Sequence, residues 1–284
     1  CGISGCSDFT VAPRVAVYWE KGFNPGSYYG ASGVSFYIPG YSRLFILGGI
    51  NGDVDNSDTD HFDNSIILHE YGHFLEDIYT KSDSPGGSHS GNKMIDPRLA
   101  WSEGFANFFQ AAVKNGATYI DTTGNSDGST GLIFNLDLEN YSTNCSSQFN
   151  SGCDEPQIAG EANFREFAIS RYLWDVVDDT ASESYNSQTD NVTGLFNEIW
   201  ASLVRTDGFN GSNIGFRSIG ILNHVQDQLI NLNDWSNLRS MHQLVNDTSS
   251  FYRKEYAYYV DDTGSCGTQN FSITPSSETS TNYS

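Results

Sequence analysis

The stretch SIILHEYGHFLEDIY, residues 65 to 79, carries two histidines four apart with a glutamate directly after the first. On a helix, positions i and i+4 share a face, so His69 and His73 can each present a ring nitrogen to one ion while Glu70 projects beside it. Zinc suits such a set. Imidazole is a borderline ligand, and a catalytic zinc takes three protein groups while leaving one position for water. The same spacing also fits an ordinary amphipathic helix whose polar face holds two imidazoles. A second stretch, WSEGFANFF, sets Glu103 among Trp101, Phe105, Phe108 and Phe109. An ionised carboxylate in that surround is costly without a partner, and a divalent cation supplies both the opposite charge and the ligation. The alternative is a Glu103 that faces solvent. Asn107, four residues further along the same face, is placed to hold one histidine by its other ring nitrogen, fixing tautomer and direction.

HEYGH followed by WSEGFAN, with 29 residues between His73 and Glu103, resembles the gluzincin metallopeptidases. The resemblance covers roughly residues 44 to 110. It implies zinc held by His69, His73 and Glu103, with Glu70 as general base. Where thermolysin-like enzymes have an aspartate four residues after the glutamate ligand, this chain has Asn107. The metzincin pattern HExxHxxGxxH does not fit, because Glu76 stands at the glycine and Tyr79 at the third histidine. His89 in GGSHSG is another nearby imidazole, and it is set aside as a ligand because it sits in a Gly/Ser loop. The resemblance further implies a donor for the transition-state oxyanion from a later helix. Tyr172, 69 residues beyond Glu103, and His224 are the two candidates. An extended substrate is expected along an edge strand above the metal, with LFILGGING as the strand. Gluzincin aminopeptidases carry an amine-capturing glutamate after the comparable strand. Asn51 follows here, which favours an endopeptidase over an aminopeptidase.

The elements that must position these residues read as α+β and zincin-like. RVAVYWE, GVSFYI and RLFILGGI each read as a short strand. After the acidic loop NGDVDNSDTDHFD the spacing turns helical and stays so. One helix is expected over 64–79 with Asp63 as N-cap. A second is expected over 97–114, with Asp96 as cap, Pro97 in its first turn and Gly116 just past its end. Further helices are expected around EANFREFAISRYLWDVVDD, LFNEIWASLVRT, FRSIGILNHVQDQLI and WSNLRSMHQLV. The organisation that follows is a sheet and metal helix over 8–80, a mostly helical part over 81–266 carrying Glu103, and a Ser/Thr-rich tail or linker over 267–284.

Composition narrows the partners. The 14 Lys+Arg against 35 Asp+Glu give a net charge of -21, which argues against nucleic acid or anionic lipid and favours a cation. Asp53, Asp55, Asp58, Asp60 and Asp63 crowd one loop, a density of hard oxygen ligands that suits calcium, although the spacing is not that of an EF-hand. A solvated acidic loop is the other reading. The loop around Asp121 and Asp127 is a weaker case of the same kind. No apolar run is long enough to span a bilayer. Cys145 and Cys153 read as a closed disulfide loop, and Cys6 with Cys266 as a tie between the ends. Cys1 is left over and, followed by glycine, fits a lipid anchor or a different pairing. The chain is therefore expected to be a secreted or surface-tethered zinc endopeptidase acting on protein or peptide substrates. An aminopeptidase and a non-catalytic surface binding module with a structural zinc remain as alternatives.

Overall fold

The computed structural model describes residues 12–30, 33–80, 82, 84–89, 95–127, 129–139, 164–178, 184–185, 188–189, 192–203 and 242. Cys1, Cys6, Cys145, Cys153, Cys266, His224 and the tail 267–284 lie outside the described residues, and with them the expected disulfides and anchor.

Three short strands come first: β1 (Ala16–Tyr18), β2 (Phe36–Ile38) and β3 (Arg43–Phe45), with one helical turn, α1 (Gly26–Tyr29), between β1 and β2. The sheet order is β1-β3-β2, with β1 parallel and β2 antiparallel to β3. This corrects the expected substrate strand. Pairing on both sides makes β3 the central strand, its Leu44 and Phe45 buried, so LFILGGING offers no free edge there, and β1 and β2 are the edge strands of this sheet among the described residues. Tyr37 of β2 fixes the sheet onto the next element by donating from its hydroxyl to Asp77 at 2.5 Å.

That element is α2 (Asn64–Tyr79), and α3 (Pro97–Lys114) packs against it. Ile66, Phe74 and Leu75 on α2 meet Trp101, Phe105, Phe108 and Phe109 on α3 in one core. Burial continues round nearly the whole of α3, as expected of a helix at the centre of a domain. Its start is well marked: the Asp96 side chain accepts from Arg98 N at 2.9 Å, with Pro97 in the first turn. Asn115, in the left-handed region at φ 51°, closes its end just before Gly116. Asp63 does not cap α2 with its side chain. Its carboxylate instead accepts from the backbone and hydroxyl of Thr122, both at 2.8 Å, because a strand passes over the start of the helix.

That strand belongs to a hairpin, β4 (Thr118–Gly124) with β5 (Thr130–Asp137), in a stretch where helical spacing was expected. The β-branched and aromatic runs TYIDTT and TGLIF flank a turn-forming segment, and they pair antiparallel. Beyond it come α4 (Glu166–Asp175), a small pairing of β6 (Ser184–Tyr185) with β7 (Gln188–Thr189), and α5 (Phe196–Leu203). The two helices lie within the stretches EANFREFAISRYLWDVVDD and LFNEIWASLVRT where helices were expected.

Two glycines let these helices approach closely. A Cβ on Gly72 of α2 would stand 3.2 Å from Ala106 Cα, and one on Gly104 of α3 would stand 2.7 Å from Ile169 side-chain carbons and 2.9 Å from the Glu166 carbonyl oxygen. The second separation is shorter than any real contact, so a side chain there forces α4 away. Gly104→Ala is expected to cost about 1–3 kcal/mol by overpacking. A denaturant midpoint unchanged from wild type would show that α3 and α4 do not meet at this position.

Candidate metal centre

Glu103 sits where α2, α3 and α4 come together. His69 Nε2 and His73 Nε2 are 3.1 Å apart, and each is 3.3 Å from Glu103 Oε2. One helical turn separates the histidines, and the Gly72 contact brings their face against α3. The three atoms form a nearly equilateral triangle. Ligands about 2.0–2.1 Å from a tetrahedral centre stand about 3.3–3.4 Å apart, so the triangle has the size of three positions around one zinc-like ion. All three residues are largely buried, at 15% side-chain exposure or less.

The electrostatics point the same way. Glu103 Oε2 is fully buried with no aligned hydrogen bond, although His69, His73 and His89 each present a ring nitrogen 3.3 Å from it. Burial alone would push Glu103 up, but the charge of His73 and the ring nitrogens of His69 and His73 hold it well below the usual carboxylate range. Burial would likewise depress His73, and the charge of Glu103 overcomes this and raises it well above the usual range. The carboxylate thus demands positive charge at one point in space. A proton on an imidazole meets the demand in part, and a divalent cation meets it with geometry to match. Glu70, beside them and buried, is raised by desolvation against the lowering influence of His69 and His73.

The partner on His73 is not the one expected. Its Nδ1 lies 3.3 Å from Ser102 Oγ, which donates to Glu76 Oε2 at 2.5 Å. Asn107 lines the same cavity, but it makes no hydrogen bond to either histidine, and His69 Nδ1 is buried without a partner among the described residues. The sequence carries the signal in retrospect: Glu76 is one turn beyond His73, and Ser102 directly precedes Glu103.

His89 is drawn in where it was set aside. Its Nδ1 lies 2.8 Å from Glu166 Oε2 while its Nε2 lies 3.3 Å from Glu103 Oε2, the same atom that faces His69 and His73. Burial would lower it, but the Glu166 contact and the charge of Glu103 raise it to about 9. Glu166, itself raised by burial, is the residue that sequence reasoning passed over. Tyr172, expected as the oxyanion donor, is placed elsewhere. Its side chain is fully buried in the core of α4, with its ring 6.2 Å from that of His242, and it is not among the residues lining the cavity. The tyrosines that do line it are Tyr37 of β2 and Tyr119 of β4, the latter with its ring 5.8 Å from that of His69. The cavity has a volume of about 980 Å³ and runs from β2 past His69, Glu70 and Glu103 to His89 and Glu166.

Asp58 and Asp60 line its far wall together with Asp121. Asp53 does not join them; exposed, it accepts from the backbones of Asp55 and Asn56 in its own turn. Asp55 is exposed as well. Among the described residues no helix is long and apolar enough to cross a membrane.

A family model described as the mycolysin C-terminal domain matches residues 6–214, most of this chain; that family is associated with metallopeptidases. An uncharacterized protein of Archaeoglobus fulgidus is 30% identical over 143 residues. That match takes in 48% of this chain and 35% of the relative, so the chain corresponds to about a third of the relative's length.

The Ser102 and Glu76 contacts generate a prediction about metal retention. Ser102→Ala and Glu76→Gln should each weaken the binding of zinc by about 10- to 100-fold, the usual effect of freeing a ligating histidine's second nitrogen. Competition against a chromophoric chelator measures this, and an unchanged affinity in both variants would remove Ser102 and Glu76 from the site.

Proposed function

Because the chain belongs to the mycolysin C-terminal domain family, we propose that it is a zinc-dependent endopeptidase hydrolysing peptide bonds of extracellular proteins. The observation that carries this reading is the triangle of His69 Nε2, His73 Nε2 and Glu103 Oε2 opening onto a cavity that also holds Glu70. A small sheet above α2, with α3 packed against it, supports a zincin-like architecture.

Zinc held by those three residues would supply an acidified water and positive charge for the scissile carbonyl. Glu70 takes the proton of the attacking water, whose oxygen bonds to the carbonyl carbon. The same carboxyl passes that proton to the leaving nitrogen as the C–N bond breaks. His89, anchored through Nδ1 by Glu166, takes the donor role first expected of Tyr172 and reaches the developing oxyanion from the loop side. The substrate backbone lies along the edge of β2, where residues 33 to 37 line the cavity and the outer side pairs with no strand among the described residues.

Asn51, standing where an amine-capturing acid would be, favours internal bonds over the aminopeptidase alternative. The family's description as a C-terminal domain favours one other reading, a non-catalytic surface module with a structural zinc. Buried Glu70 weighs against it, since a structural ion has no use for a base at that position.

Incubation with casein, with and without chelator, followed by mass mapping of the products, tests the reaction. Chelator-sensitive cuts within the chain are expected, and amine-blocked peptides should be cut as well as free ones. Glu70→Gln should lower turnover by about 100- to 10,000-fold while zinc stays at one per chain. Undiminished cleavage in that variant would refute the role given to Glu70, and bound zinc without any hydrolysis by wild type would favour the binding module.

A further inference from the structure

On the far wall of the cavity, three carboxylates converge with nothing among the described residues to neutralise them. One oxygen each from Asp58, Asp60 and Asp121 lies within 4.8 Å of the other two. Asp60 is only 3% exposed. Its Oδ2 accepts from the Ser35 hydroxyl, but its Oδ1 is fully buried with no hydrogen-bond partner, and the same holds for Asp58 Oδ1 and Asp121 Oδ1. A buried acceptor without a donor is costly, and three like charges facing one point are more so.

The backbone holds them there. Asp58 pairs with Thr123 as an isolated bridge, and Gly124 donates from its backbone nitrogen to the Ser57 carbonyl at 3.2 Å. Gly124 is close-packed: a Cβ on it would fall 2.3 Å from the Val54 carbonyl oxygen. The acidic loop and β4 are therefore pressed together along a line that runs beside the cluster. Left to repel, these carboxylates would push that contact apart.

We propose that Asp58, Asp60 and Asp121 bind a calcium-like hard divalent cation that clamps the acidic loop to β4. The donor set is all oxygen, which suits calcium over zinc. Calcium–oxygen distances of about 2.3–2.6 Å allow ligands up to about 4.6–5.2 Å apart across the ion, which accommodates three oxygens within 4.8 Å of one another. Water from the adjoining cavity completes a coordination number of about six to eight. Two positive charges on one ion meet three carboxylates that burial keeps from ionising fully without it, where a single ammonium group would supply only one. The site differs from the loop expected from sequence, in that Asp53 and Asp55 are absent and Asp121 comes from the hairpin. Its consequence is a stiffened wall, because β4 also carries Tyr119 against His69, and Ser35 beside β2 is tied to Asp60.

The test uses the full chain stripped of metal and reloaded with zinc alone, and reads binding heat and thermal unfolding rather than peptide cleavage. Calcium should bind at one further ion per chain and raise Tm by about 5 °C at saturation. Asp121→Asn should weaken calcium binding at least tenfold while unfolding, without calcium, above the wild-type temperature, because one repelling charge is gone. Asp58→Asn should show the same reversal, which covers a failure of the first variant to fold. No response of wild type to millimolar calcium, or variants that respond as wild type does, would overturn the proposal. So would a Tm rise produced by lysine amide and not by calcium, which would make the cluster a pocket for a substrate amine.

Discussion

A carboxylate buried on a helix packed into the core sets the terms for everything around it. Glu103 lies on α3, a helix surrounded by core on nearly all sides, and an anion in such a place must meet positive charge or be expelled to solvent. Three imidazoles from two different segments face the same oxygen of that side chain. The convergence is possible only because α2 and α4 come within backbone distance of α3, and glycines stand at both crossings. Gly72 lies inside the HEYGH motif and Gly104 directly follows Glu103. The residues that bring the chemistry together thus alternate in sequence with those that permit the approach.

A second consequence of that buried charge is the ring of partners one step further out. Ser102 and Glu76 address His73, and Glu166 addresses His89, so each imidazole nitrogen not facing Glu103 on these two residues has an acceptor. Such contacts choose which nitrogen carries the proton and which is free to bind. The far wall is built on the opposite principle. There burial, together with the neighbouring Asp58 and Asp63, pushes Asp121 to about 7, and burial with its neighbours pushes Asp60 to about 8. One cavity therefore has one pole in which imidazoles answer a carboxylate and another in which carboxylates answer only each other.

The parts of this arrangement set by local periodicity were legible in the sequence. The spacing of His69 and His73 placed both on one helix face, and the Asp96-Pro97 start fixed α3 and hence the position of Glu103. Three N-terminal strands were read correctly because β-branched and aromatic runs there are broken by glycine. What depends on pairing between distant segments was not legible. That β3 is a central strand and not an edge turns on β1 joining it in parallel, which no local pattern reveals. Asp121 joins Asp60 across 61 positions because β4 folds over the start of α2, and β4 itself was missed because its polar Thr/Asp content weakens the apolar alternation. Tyr172 has the right residue type at a suggestive distance, but the inner face of α4 turns it into the core. His89 was discounted for its Gly/Ser loop, although a histidine between two buried glutamates has strong reason to be ordered.

The proposed hydrolysis requires one ion held by atoms from two helices. Crystals of the zinc-loaded chain, measured on either side of the zinc absorption edge, locate that ion independently of any activity. A single strong anomalous peak about 2.0–2.2 Å from His69 Nε2, His73 Nε2 and a Glu103 carboxylate oxygen is the expected result. A zinc peak bound to other side chains, or a Glu103 carboxylate turned away from both histidines with the metal present, would contradict it.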